Sequence, residues 1–144
     1  MKAYVASGWF TDEQEEARLK ILEALDYTRF DYYSPKDHGI YVPGKTPPQD
    51  VFNTNIFEIN LSNLVVASTI GKDMGTIFEC GCAYTLKKPI VYLWESNDPL
   101  NLMLSESSVF IATSTMSLIA YLTGVQTLGL SFLKDKQVWK GKIE

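Results

Sequence analysis

Apolar residues along the chain change period several times, and each change marks an element. KAYVAS, residues 2–7, is a short apolar run that predicts a buried strand. GWFT follows as a turn. Ala17, Ile21 and Leu25 then fall on one helical stripe with Leu22 beside it, and Thr11 with Gln14 forms a capping-box pattern, so a helix is expected from Thr11 through about Leu25. RFDYYSP (29–35) predicts a second strand. KDHGIYVPGKTPPQD (36–50) holds two glycines and three prolines and reads as a long irregular loop, a kind that is usually functional or mobile in a compact domain. Helical spacing returns at Val51, Phe52, Ile56 and Ile59. LVVASTI (64–70) is continuously apolar and β-branched, the pattern of a strand covered on both faces. A helix over roughly 75–87 is stopped by Pro89, and IVYLW (90–94) is another buried strand. SVFIAT (108–113) reads as a strand and MSLIAYL (116–122) as a helix. The closing SFLKDKQVWKGKIE follows no period.

Strands alternating with helices imply an α/β fold, a parallel sheet with right-handed crossovers and helices on both faces. Ligands of such sheets bind outside the carboxyl ends of the strands. Three segments converge there: Gly8-Trp9-Phe10, Asp73-Met74-Gly75-Thr76, and the residues after Trp94. No repeat, linker or low-complexity segment divides residues 1–144, and 46% hydrophobic residues over that length suit one domain with one core.

Charge narrows the function. The formal net charge is −4, so no basic surface for a nucleic-acid polymer is expected, although a free nucleoside or nucleotide remains a possible ligand. The acidic run Asp12, Glu13, Glu15 and Glu16 reads as a solvated face that complements the positive end of its helix. Cys80 and Cys82 are spaced for neither a redox pair nor a zinc knuckle, and His38 is the one histidine, so no metal site is expected. The N-terminus lacks a signal-peptide run and no segment reaches membrane-spanning length, which gives a cytoplasmic, reduced protein with no membrane partner as the expectation.

One stretch carries chemistry: STIGKDMGTIFECGCAY, residues 68–84. Glu79 lies one turn into the expected helix among Ile77, Phe78, Cys80, Gly81 and Cys82. Buried, ionised and unpartnered, it would cost several kcal/mol. It must be paired, neutral, or open to a cleft. Gly75 and Gly81 strip bulk from its surroundings, and glycine within a helix costs roughly 1 kcal/mol against alanine, which suggests that something approaches closely. A carboxylate held beside open space at the sheet's ligand edge can attack an electrophilic carbon. The plainer alternative is a glutamate on a half-solvated helix face.

YVASGWFT (4–11), DMGTIFECGCA (73–83) and PLNLM (99–103) together resemble nucleoside 2-deoxyribosyltransferases, in the same order and with similar gaps, from near residue 2 to about residue 105. The resemblance implies a flavodoxin-like fold and transfer of 2-deoxyribose from a deoxynucleoside donor to a free nucleobase acceptor. It implies a retaining double displacement through a covalent deoxyribosyl-Glu79, with no metal or organic cofactor. Tyr4 matches the tyrosine that orients the nucleophile; by itself it is an ordinary strand aromatic. Asp73 matches the acid that contacts the sugar hydroxyls; by itself it caps a helix. Trp9 and Phe10 match the aromatic turn that packs on the base, and are otherwise turn residues buried on the core. Asn101 and Met103 match residues lent to a neighbouring subunit's site, which implies a homo-oligomer.

Where the family usually carries an aspartate to protonate the leaving base, this chain has Asn55. Glu58 or the loop residue Asp37 would take that role, or hydrogen bonding alone would assist departure. His38 in the loop is in reach of a base or is simply exposed. The competing expectations are an N-glycoside hydrolase of deoxynucleosides or their 5′-monophosphates, with Ser7, Ser105, Ser107 and Ser108 available to a phosphate, and a non-catalytic nucleotide-binding module.

Overall fold

A computed structural model describes all residues 1–144. The strands β1 (Lys2–Ser7), β2 (Asp31–Tyr33), β3 (Leu64–Ser68), β4 (Ile90–Leu93) and β5 (Phe110–Ala112) form one all-parallel sheet in the order β2-β1-β3-β4-β5. Chain direction across the sheet reverses between β1 and β3, which pair from Ala3 with Leu64 to Ser7 with Ser68. The crevice at the carboxyl ends of these two strands is where such folds bind ligands.

Side-chain alternation divides the core between the two faces. Ala3, Val5, Leu64, Val66, Val91 and Leu93 point to the layer made by α1 (Asp12–Tyr27) and α6 (Thr115–Leu128). Tyr4, Ala6, Val65, Ala67, Ile90 and Tyr92 point to the other face, where α3 (Pro48–Leu61) and α4 (Met74–Thr85) pack through Ile59, Cys80 and Ala83. Tyr4 is therefore committed by strand parity to the face that receives α4.

The remaining elements adjust the expectations. The proline-rich 36–50 segment is not wholly irregular. Pro35 starts a four-residue helix, α2 (Pro35–His38), and Pro48 starts α3 three residues earlier than helical spacing indicates. Proline suits the first helical turn, where its missing N–H leaves no bond unmade. Only 39–47 lies outside helices. Thr11 caps α1 by accepting from Gln14 N at 3.2 Å, but the Gln14 side chain turns to Phe10, whose N–H it accepts at 3.0 Å, so the reciprocal half of the capping box is absent. After α5 (Leu102–Ser107), β5 and α6, a short 3-10 turn (Leu130–Lys134) leads into a tail that returns to the ligand edge. There Leu100 N donates to Lys142 O and Leu102 N to Glu144 O. No helix is long and apolar enough to cross a membrane.

Candidate active site

The crossover from β3 to α4 is a tight turn. Gly71 has φ +73°, and a Cβ there would sit 2.7 Å from the Gln14 side-chain nitrogen. A Cβ on Gly8 would sit 2.7 Å from the Gln14 side-chain oxygen and 3.1 Å from Asp73 Cβ. Gln14, 5% exposed, thus fills the space between the two turns that flank the crevice, beside two glycines of which Gly71 is also demanded by its left-handed backbone. Asp73 then begins α4, its Oδ2 accepting from Thr76 N at 2.7 Å and from Thr76 Oγ at 2.8 Å. The plain capping role of Asp73 is realised, and its Oδ1 keeps no protein partner. Gly75 lies against the same carboxylate, with a built Cβ 3.3 Å from Oδ2.

One turn on, Glu79 faces the sheet. Tyr4 Oη donates to its Oε1 at 2.8 Å, and Asn55 Nδ2 approaches the same oxygen at 3.5 Å from α3. Glu79 Oε2 takes no protein hydrogen bond and is not enclosed. The carboxyl is thus anchored at one oxygen and free at the other. Burial raises its pKa from 4.5 to about 7; the Tyr4 bond works against that rise and the charge of Asp73 adds to it. Burial and the Glu79 carboxylate push the Tyr4 phenol far up, so it stays a donor.

Tyr33 and His38 complete one wall. Tyr4 stacks on Tyr33 at 5.8 Å between centroids, and Tyr33 on His38 at 5.0 Å. Neither contact is readable from spacing. Trp9 and Phe10 stack on each other at 5.1 Å, and Phe10 is 73% exposed, so it stands at the rim and not in the core. Gly81 meets nothing: a Cβ there would have no neighbour within 4 Å, and it lines an open apolar groove with Ile56, Phe78 and Cys82. No close approach within this chain explains that glycine.

Both carboxylates considered as alternatives to Asn55 are already engaged. Glu58 is paired with Lys2, and Asp37 accepts from Arg18 Nη1 at 2.7 Å. Asn55 Oδ1 is buried without a partner. Asn101 and Met103 do not join Glu79. Asn101 caps α5 through Met103 N at 2.9 Å, Met103 is 74% exposed, and both line an 840 Å³ cavity at the same sheet edge whose walls include neither Tyr4 nor Glu79. No group of three or more His, Cys, Asp or Glu residues is arranged to hold a metal.

The fold matches known architectures. The sequence profile of nucleoside 2-deoxyribosyltransferases matches residues 3–117. A 2-deoxyribosyltransferase of the psychrotolerant bacterium Bacillus psychrosaccharolyticus superposes with TM-score 0.75 at 23% identity, covering 85% of this chain and 96% of that one. The 2-desoxiribosyltransferase of Leishmania mexicana gives TM-score 0.58 at 20% identity, with 85% and 96% covered. A Clostridium botulinum CMP N-glycosidase gives 0.56 at 16%, with 85% and 98% covered. At these identities the superpositions show the flavodoxin-like fold. No curated protein sequence matches at a significant level. The fold and profile define an enzyme class that acts at N-glycosidic bonds, the deoxyribosyltransferases and related N-glycosidases. Within that class the chain belongs to the nucleoside 2-deoxyribosyltransferase family.

Proposed function

We propose that the protein, acting as one domain over residues 1–144, transfers 2-deoxyribose between nucleobases through Glu79. The observation that carries this reading is the asymmetric carboxyl: Oε1 is held by Tyr4 at 2.8 Å while Oε2 is unbonded. In the first step Oε2 attacks C1′ of a 2′-deoxynucleoside, the C1′–N bond breaks, and its electron pair leaves with the base. In the second step a ring nitrogen of the acceptor base attacks C1′, the C1′–O bond breaks, and the Glu79 carboxylate is restored. Two inversions give net retention. Only ionised Glu79 is nucleophilic, so a pKa near 7 leaves both forms populated at neutral pH.

Tyr4 orients the nucleophile. Asp73, whose Oδ1 is unpartnered, receives the sugar hydroxyls, and Gly8 and Gly75 keep the backbone clear of them. Trp9 and the exposed Phe10 offer a π-face to any base. Asn55 assists base departure by hydrogen bonding, since Glu58 and Asp37 are committed to Lys2 and Arg18. Asn101 and Met103 serve a neighbouring protomer's site. Their exposure, in a cavity without Glu79, suits residues lent across a homo-oligomer.

The test is incubation of a deoxynucleoside with and without a second free base, followed by mass spectrometry of the quenched enzyme. Base exchange and a deoxyribosyl adduct on Glu79 are the expected results. Free deoxyribose in equal yield with and without the acceptor assigns a hydrolase instead, and ligand binding without either product assigns a binding module.

A further inference from the structure

Besides the reacting pair, the most completely bonded charge cluster at this end of the sheet is built on Arg18. This residue of α1 is 4% exposed. Its Nε and Nη2 donate to the two Glu15 oxygens at 2.9 Å each, and its Nη1 donates to Asp37 Oδ2 at 2.7 Å and Ser34 Oγ at 3.1 Å. Lys36 Nζ also donates to Glu15 at 2.6 Å, and the two cations hold the Glu15 carboxyl down at about 2. A buried guanidinium is costly unless its donors are engaged, so this arrangement has one low-energy geometry.

That geometry places α2. Four residues are too few to hold a helix by themselves. Ser34 at its N-cap makes no capping bond, and its hydroxyl serves Arg18 instead. The far end of α2 carries His38, whose Nδ1 lies 2.9 Å from the Ser34 carbonyl oxygen and whose ring covers Tyr33. Tyr33 in turn backs the Tyr4 ring. A continuous path of packed groups therefore runs from the guanidinium to the carboxyl at the reaction centre.

We propose that Arg18 is a positioning residue for the Tyr4–Glu79 pair: by clamping α2 through Asp37 and Ser34 it seats His38 on Tyr33 and Tyr33 on Tyr4, and so aims the phenol at the carboxylate. The proposal rests on Glu79 being the reactive carboxylate. Arg18 itself touches no substrate. Without the clamp, α2 lifts, the outer face of Tyr33 loses its cover, and the Tyr4 hydroxyl no longer stays within 2.8 Å of Oε1.

The test is ¹³C-carboxyl NMR titration of Glu79 in the whole chain, assigned with Glu79→Gln, in the wild type, Asp37→Ala and Arg18→Met. Loss of the phenol's hydrogen bond raises the midpoint, by roughly half a pH unit or more, a three-fold gain in proton affinity. The titratable groups around Glu79 are Tyr4 and Tyr33 on β1 and β2, Asp73 at the α4 cap, and Cys80 and Cys82 on α4. None is altered by Asp37→Ala. Removing the negative charge of Asp37 would by itself lower the midpoint, so a rise carries the sign that only a lost Tyr4 bond gives. An unchanged or lowered midpoint in folded Asp37→Ala overturns the proposal, even if Arg18→Met loses thermal stability, because that pattern marks a purely structural arginine. Should Arg18→Met fail to fold, Asp37→Ala decides alone. The titration reads the carboxyl directly; absence of base exchange in the wild type would refute the transferase reading and leave this result standing.

Discussion

Glu79→Gln separates the energetic load of this buried carboxyl from the chemistry proposed for it. The folded pKa is about 7 against an ordinary 4.5. Between those values the folded state binds a proton that the unfolded state has lost, so the contribution of this group to stability is whole below 4.5 and falls as pH rises to 7. An interval of that size corresponds to at most about 3 kcal/mol. Gln, like the protonated acid, accepts from Tyr4 as a neutral partner, and the charge-assisted bond it forgoes is already contained in that interval. The expected net gain is therefore about 3 kcal/mol at pH 8 and close to zero at pH 4, while the proposed deoxyribosyl transfer is abolished at both. Urea unfolding followed by circular dichroism at pH 4, 6 and 8 reads the difference, with equal slopes m in both proteins as the control. A stability difference that does not grow between pH 4.5 and 7 would show that the carboxyl is solvated, and the argument from its burial would fail.

Three further outcomes follow from the same geometry. Tyr4→Phe removes a charge-assisted bond, so kcat/KM for base exchange should fall roughly 10- to 100-fold at neutral pH, with its acidic limb moved to higher pH; an unmoved limb in a pH–rate profile would contradict the pairing. Asn55→Asp places a second carboxyl near Oε1, and like charges that close resist ionisation together, so the acidic limb should also rise. A limb that falls would show that Asn55 does not face Glu79. Gly71→Ala combines a left-handed backbone with a Cβ 2.7 Å from Gln14, and should lower stability by roughly 1–2 kcal/mol in denaturant melts; a neutral result would refute the left-handed turn as well as the contact with Gln14.

Much of this architecture could be read without coordinates because local pattern and tertiary role coincide. KAYVAS and LVVAS are apolar on both faces because both faces are covered, and strand parity then sends Tyr4 toward α4. Glu79 was conspicuous for the reason its pKa rises: a carboxyl among apolar residues. The prolines mislead, since Pro35 closes a segment that reads as strand and Pro48 lies in one that reads as loop, yet each opens a helix. The tail had no period because separate anchors hold it: Leu133 in one core layer, Trp139 against the other, and backbone pairing to Leu100 and Leu102. Tyr33, His38 and Arg18 were invisible as a group. Their contacts join α1, β2 and α2, and single-chain spacing carries no record of stacking or of ion pairs that cross elements. Glu58 and Asp37 looked available for proton delivery because a sequence shows carboxylates but not their cations.

The Tyr4–Glu79 bond spans 75 positions of chain, and the exposed 39–47 segment falls between its two ends. A cut near Gly44 would leave one fragment with the phenol and β1, the other with the carboxylate and β3. Neither piece would hold the phenol and the carboxylate together, and reassembly along the β1–β3 seam would restore the pair. The fold thus offers a natural split point, at which enzymatic turnover would report the meeting of any two proteins fused to the halves.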